Sequence, residues 1–384
     1  MAHRLLSLLL SLCLTATAVT APPTPDIESE SYILMDADTG AILAEKNPDL
    51  PLPPASLTKI MTAYAAFKSI KEKRINWDQQ VIVSPQAWAQ NVIGSKTFLE
   101  VNTSVSIADL LRGVIVQSGN DASIALAEAI SGDEAAFAQW LNILAKDVGM
   151  THSHFANSTG LPAPDHLSTA RDTALLIWQT IREFPQYYAL YAEKDFTYNN
   201  ITQNNRNRLL FTYTGADGVK TGYTEEAGYC LAASAQRDGR RFIAVVMKTP
   251  SPQARVRASA KLLSFGFNHF TLARPFNADK VRRLPVQQGA VTEVPARPAA
   301  DALLTVERGK KVEAIFRPIP LIAPVAKGDK VGEIEIIVGG EVMRVVPVEA
   351  IDDVPQAGFF KRWWDLAKQQ FKGDNHDANL LSEW

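Results

Sequence analysis

Three short motifs in this 384-residue chain carry side chains suited to acyl transfer. Ser56-Leu57-Thr58-Lys59 is S-x-x-K, Ser118-Gly119-Asn120 is S-G-N, and Lys220-Thr221-Gly222 is K-T-G. A serine hydroxyl is a poor nucleophile until a nearby base takes its proton. If Ser56 opens a helix, Lys59 lies one turn on and on the same face, where it can be that base. Lysine serves only when its neutral form is populated, which burial and neighbouring cations favour. Lys220 is such a neighbour if it converges on the same place. A helix N-terminus at Ser56 would also offer amide hydrogens to a developing oxyanion, and Pro53-Pro54 give a rigid lead into it. S-x-x-K alone is expected roughly once by chance in a chain of this size. K-T-G is rarer, and all three in order argue against coincidence.

The elements that must position these residues are legible in outline. Tyr32 to Met35, the turn Asp36 to Gly40 and Ala41 to Ala44 read as a hairpin. Helical composition dominates Ser56 to Lys68, Ile107 to Val116, Ala122 to Ile130 and Arg171 to Glu183. Strands return in Tyr229 to Ala235 and Arg241 to Met247, joined by the turn Arg237-Asp238-Gly239-Arg240. Ala258 to Leu263 reads as a helix able to close the domain on its sheet.

Composition shifts near Arg274. From Phe276 to Asp352 the chain is rich in Val, Pro and Gly, and Ile334 to Val338, Gly339-Gly340 and Glu341 to Val346 make a strong hairpin. A small all-β, sandwich-like domain is expected there, with no catalytic constellation of its own. Beyond Val354, the residues Phe359, Phe360, Trp363, Leu366, Ala367 and Phe371 recur at helical spacing. Lys361, Arg362, Lys368 and Lys372 lie mainly between them, against the single acid Asp365. Aromatics on one face and cations on the other describe a helix lying in a membrane interface. The tail that follows offsets this charge with Asp374, Asp377 and Glu383.

At the other end, Arg4, the apolar run Leu5 to Leu14 and the small residues Thr15 to Ala21 have the order of a secretory signal, with Ala16-Thr17-Ala18 as cleavage site. The run is about half the ~20 residues needed to span a bilayer. Of the two cysteines, Cys13 lies in that run, so Cys230 is left alone as a buried small hydrophobe. Charge is balanced, with 39 basic and 41 acidic residues, so there is no footprint of nucleic-acid binding.

The motif set resembles that of penicillin-binding proteins, and within them it is most similar to the low-molecular-mass D-Ala-D-Ala carboxypeptidases, the group of penicillin-binding proteins five and six. Pro54 to Thr62, Gln117 to Ala122, Asn204 to Asn207 and Asp217 to Thr224 carry the resemblance, and the β domain and amphipathic C-terminus repeat the group's layout. The resemblance implies an α/β fold of the β-lactamase/transpeptidase type, an antiparallel sheet flanked by helices with a helical subdomain. Its domains would be a signal at 1–21, a catalytic domain at 26–273, a β domain at 276–352 and a membrane-anchor helix and tail at 354–384. Ser56 would be acylated and Lys59 would be its base. Ser118 and Asn120 would relay protons and hold the substrate amide, while Lys220 and Thr221 would bind the terminal carboxylate. The oxyanion would sit between the backbone amides of Ser56 and Tyr223, beside Gly222. Family members commonly have His where this chain has Tyr223. Arg206 and Arg255 match arginines near the carboxylate side.

The implied reaction removes the terminal D-Ala from peptidoglycan stem pentapeptides on the periplasmic face of the inner membrane, where β-lactams would inhibit it. Partners would be the stem peptide, β-lactams and the membrane surface. No cofactor, metal or nucleic acid is expected. A penicilloyl-binding sensor, a cell-wall scaffold, a DD-endopeptidase and a β-lactamase are the competing readings. No segment resembles the loop that carries a β-lactamase's deacylating glutamate. His152 and His154 lack a third ligand at metal spacing, and Glu225-Glu226 and Asp352-Asp353 read as solvated turns.

Overall fold

The computed structural model describes residues 23–359; the expected signal segment and residues 360–384 of the expected anchor lie outside them. The chain divides into two units. One comprises Thr24–Arg274 with Ala302–Val306, and the other Pro275–Asp301 and the residues from Glu307 onward.

The first unit is built on a five-stranded antiparallel sheet ordered Ile42–Lys46, Ser31–Asp36, Arg240–Thr249, Gly228–Arg237, Ala216–Thr224. Side chains alternate between its faces, as strand geometry requires. Ile33, Met35, Ile243, Val245 and Met247 face one core, and Tyr32, Leu34, Phe242, Ala244 and Val246 face the other. Both faces are covered, so these strands read as continuous apolar runs. The turn joining Gly228–Arg237 to Arg240–Thr249 is the expected one, with Asp238 and Gly239 both at positive φ.

Helix Pro252–His269 covers one face, its Ser251 cap accepting from the Ala254 amide. The opposite face packs on the helical side of the unit, with Thr58–Lys71 at its centre. Ile60, Ala63, Ala65, Ala66 and Phe67 of this helix are all buried, as befits a helix that is apolar nearly all round. Around it stand Ile107–Arg112, Asn120–Ser131, Glu134–Val148 and Ala170–Glu183. The expected helix from Ile107 changes character at Gly113. Gly113–Gln117 is a π turn that ends on Ser118, held in the left-handed region at φ 61°.

In the second unit, strands run in the order Val312–Pro318, Lys330–Val338, Glu341–Ala350, Glu293–Pro298, Arg282–Gln287, Leu321–Ile322. The last pair is parallel and the rest antiparallel. Val294, Phe316, Ile334, Ile336 and Val348 form its interior. Val354, the first residue of the expected anchor region 354–384, bridges Val325 and sits within this unit.

Candidate active site

Ser56 lies in a short 3-10 turn, Ala55–Leu57, and the α-helix proper starts at Thr58. The serine therefore sits ahead of the helix the sequence assigned it to, and Ala55 before it has φ 47°. That conformation is uncommon for a non-glycine residue. Lys59 still comes round to the serine. Its Nζ is 3.2 Å from Ser56 Oγ and donates to Asn120 Oδ1 at 2.6 Å and to the Thr159 carbonyl at 2.6 Å. Three acceptors match the three hydrogens of an ammonium. Yet the side chain is 1% exposed. Burial, and behind it the charge of Arg206, brings Lys59 down to about 7, against the opposing pull of Asp121 and Glu134. Near neutral pH a substantial fraction is thus a free amine able to accept the Ser56 proton.

The S-G-N motif reaches this lysine because the π turn and left-handed Ser118 redirect the chain into helix Asn120–Ser131. Asn120 Nδ2 donates to the Ile93 carbonyl at 2.6 Å, which fixes its oxygen toward Lys59 and leaves a second N–H for a ligand. Its backbone amide is tied to Ser95. The neighbouring Asp121 is fully buried and accepts from the amides of Thr97, Phe98, Leu99 and Ala122. That carboxylate pins the segment carrying Gly94 and Ser95, two residues of the cleft wall.

Lys220, Thr221 and Gly222 lie on strand Ala216–Thr224, at the end of the sheet order, so among the described residues its outer edge has no strand partner. The packing at Gly222 is tight. A Cβ would sit 3.0 Å from the Pro54 carbonyl oxygen and 3.3 Å from Ala55 Cβ, so glycine lets the strand press on the Ser56 turn. Lys220 is buried, donates to the Thr221 carbonyl at 3.2 Å, and is driven well below its usual value by burial and by the charges of Lys59, Arg206 and Arg255. Arg255 donates to the carbonyls of Gly222 and Cys230 at 2.9 and 3.3 Å, so it braces the strand instead of forming a surface ion pair. Tyr223 is half exposed and stacks on Tyr229 at 4.3 Å. Ser56, Ser118, Thr221, Gly222, Tyr223, Arg206 and Arg255 border one cleft of about 410 Å³. Lys59, Asn120 and Lys220 are buried behind them.

Sequence reading missed the loop Asn157–Gly160. Asn157 Oδ1 accepts from the Thr159 and Gly160 amides, and Glu134 Oε1 from the Ser158 amide and hydroxyl. Thr62 Oγ1 closes the clamp on the Ser158 carbonyl, which leaves the Thr159 carbonyl aimed at Lys59. The run Asn-Ser-Thr-Gly was the available signal, a side-chain turn ending in a glycine. His152 and His154 are structural: the His152 amide donates to Asp172, and His154 bridges Leu167. Cys230 is buried, and burial pushes its thiol up to about 11, far from thiolate chemistry.

With this geometry in hand, comparisons with known proteins are specific. The sequence model of the D-alanyl-D-alanine carboxypeptidase family matches residues 16–251, and that of the penicillin-binding protein 5 C-terminal domain matches residues 270–356. The chain is 39% identical to the D-alanyl-D-alanine carboxypeptidase DacA of Haemophilus influenzae over 91% of each chain. It is 40% identical to DacC of Escherichia coli, over 90% of this chain and 89% of that one. The crystal structure of penicillin-binding protein 5 from Haemophilus influenzae superposes with a TM-score of 0.80 at 39% identity, over 87% of this chain and all of that one. Penicillin-binding protein D2 of Listeria monocytogenes, solved in its ampicillin-bound form, is 28% identical with a TM-score of 0.57, over 64% of this chain and all of that one.

Proposed function

The chain belongs to the D-alanyl-D-alanine carboxypeptidase family, and from that premise we propose that Ser56 is the residue on which its acyl-enzyme forms. The protein is a serine-type D-Ala-D-Ala carboxypeptidase, a hydrolase of cell-wall peptides. The geometry supports the following roles for its residues. Neutral Lys59 takes the Ser56 proton as Oγ bonds to the carbonyl carbon of the penultimate D-Ala. The oxyanion is held by the backbone amides of Ser56 and Tyr223. The peptide C–N bond then breaks as Ser118 relays the proton from Lys59 to the leaving nitrogen, so that D-Ala departs and Lys59 is neutral again. Water attacks the ester carbonyl, gives a proton to Lys59, and Ser56 Oγ leaves reprotonated. Lys220, Thr221 and Arg206 receive the terminal carboxylate, with Arg255 bracing the strand beneath it. Asn120 holds the substrate amide, and Gly222 lets the strand come close.

The observation that carries this reading is the buried Lys59 amine, 3.2 Å from Ser56 Oγ and poised at about 7. β-Lactams are expected to acylate the same serine, in keeping with the ampicillin-bound relative. The signal-like N-terminus and the aromatic and cationic pattern of the C-terminus support a peripheral site of action on the periplasmic face of the inner membrane. Among the described residues no helix is long and apolar enough to cross a membrane.

The test is D-alanine release from a peptide ending in Lys-D-Ala-D-Ala. Sustained release that is abolished in Ser56→Ala is expected. A folded wild type that binds labelled penicillin at Ser56 but never releases D-alanine would be a sensor instead.

A further inference from the structure

Arg206 reaches the cleft from a segment held by the two asparagines that flank it. Asn205 and Asn207 are buried, at 5% and 1% exposure, while Arg206 between them is exposed and borders the cleft. Asn205 fixes the near side. Its backbone amide donates to the Lys194 carbonyl at 2.7 Å, and its Nδ2 donates to the Glu193 carbonyl at 3.0 Å. The Asn207 amide donates to Asn205 Oδ1 at 2.9 Å, and Asn207 Oδ1 accepts from the Leu209 amide at 3.1 Å. Asparagine side chains that fold back on nearby backbone in this way build turns. One contact leaves the segment. Asn207 Nδ2 donates to the Gly218 carbonyl at 2.8 Å, on the strand Ala216–Thr224 that carries Lys220. Gly218 is itself confined, since a Cβ there would sit 2.8 Å from the Tyr188 hydroxyl oxygen.

That bond joins the backbone behind Arg206 to the backbone ahead of Lys220, the two cations assigned above to the substrate carboxylate. It acts against their repulsion. Burial first, and then the charges of Lys59, Arg206 and Arg255, hold Lys220 well below its usual value. Like charges in a cleft move apart unless the backbone holds them. We propose that Asn207 is a positioning residue for carboxylate recognition, its side-chain amide holding Arg206 and Lys220 at the spacing that one carboxylate bridges. Asn207 is buried and acts through those two residues, not on the substrate. The role rests on the carboxypeptidase reading above and adds the residue that sets its preference for a free C-terminus.

The experiment uses Asn207→Ser, whose hydroxyl can still accept from the Leu209 amide but is too short to reach Gly218. The same-sized Asn207→Asp, which also lacks the donor, is its companion. The readout is kcat/KM for two peptides, one ending in Lys-D-Ala-D-Ala and the other its C-terminal amide, scaled to the protein that labelled penicillin titrates. Wild type is expected to favour the free acid by about a hundredfold or more. In both variants that ratio should fall roughly tenfold, as when a binding group is slightly misplaced. The pH profile of Asn207→Ser is a second readout. Lys59 is faced by Arg206 and Lys220, which disfavour its charge, and by Asp121 and Glu134, which favour it. With Arg206 released, the acid limb should move to higher pH. A purely structural role lowers both peptides alike and leaves the limb in place. That result, a wild type indifferent to the amide, or loss of folding in both variants would overturn the positioning role while Ser56-dependent release still stood. Absence of release from the free acid by wild type would overturn the carboxypeptidase reading and this role with it.

Discussion

The backbone of Gly160 lies so close to Ala55 that a Cβ added to it would sit 1.8 Å from the Ala55 carbonyl oxygen. Its φ of 84° is also one that side chains rarely adopt. The loop that aims the Thr159 carbonyl at Lys59 thus rests directly on the turn carrying Ser56. Gly160→Ala must push the two apart, at a cost of roughly 1–3 kcal/mol in strain. Acylation by labelled penicillin should slow at least tenfold in protein that retains its secondary structure. An unchanged acylation rate would show that the contact does not set the geometry of Ser56.

With Lys59 as base, the neutral amine is the active form. Acylation should therefore fall with an apparent pKa of about 7, dropping tenfold per unit at lower pH. Glu134 favours the charged form of Lys59, so Glu134→Gln, which keeps an acceptor for Ser158, should move this acid limb to lower pH. A limb that stays in place, or moves to higher pH, would mean that Glu134 acts only by holding the loop.

Lys59 also ties stability to pH. Its folded value lies below that of an unfolded lysine, so the unfolded chain binds more protons between the two values. The Lys59 contribution should make denaturant midpoints rise with pH above about 7. Replacing Lys59 with methionine should flatten that rise, and an equally steep rise in the variant would assign it to other groups.

Asp121→Asn replaces an oxygen that accepts backbone hydrogens with an amide that can turn donors toward them. The loss should be about 2–4 kcal/mol, since buried N–H groups of Thr97, Phe98 and Leu99 lose a charged acceptor. Thermal unfolding should register it, together with slower acylation as the Ser118–Asn120 segment loosens. An unshifted midpoint would refute the pinning role.

Truncation after Gly358 preserves the bridges of Val354 and Gln356 to the β unit. It should abolish co-sedimentation with anionic vesicles while leaving D-alanine release from soluble peptide intact. Equal binding by the truncated protein would place the membrane contact elsewhere.

How much of this the sequence disclosed depended on how local each cause was. Ser56 and Lys59 are one helical turn apart, so their meeting followed from spacing alone. The Asp238-Gly239 turn was equally local, because only residues tolerant of positive φ fit there. The strand Ala216–Thr224 was missed as a strand: its Gly, Lys and Thr show no apolar alternation, and it owes its place to the Ser56 turn and to the neighbouring strand. The clamp from Glu134 through Ser158 to Thr62 joins residues far apart in the chain, and short-range patterns carry no trace of it. Helix Glu134–Val148 escaped notice although its Asp133 cap is an ordinary start signal.

The segment Ala302–Val306 belongs to the unit that carries Ser56, although Pro275–Asp301 before it belongs to the other. Thr305 there meets Thr39 at 2.5 Å, and strand Leu304–Glu307 pairs with Phe270–Ala273. The unit is therefore discontinuous along the gene. A ribosome that has passed Arg274 has not yet made all of it, and at ordinary synthesis speeds the missing segment follows roughly 2–6 s later. A chain cut at Arg274, whether by a protease or by a designed boundary, would be left with an open edge at Phe270–Ala273.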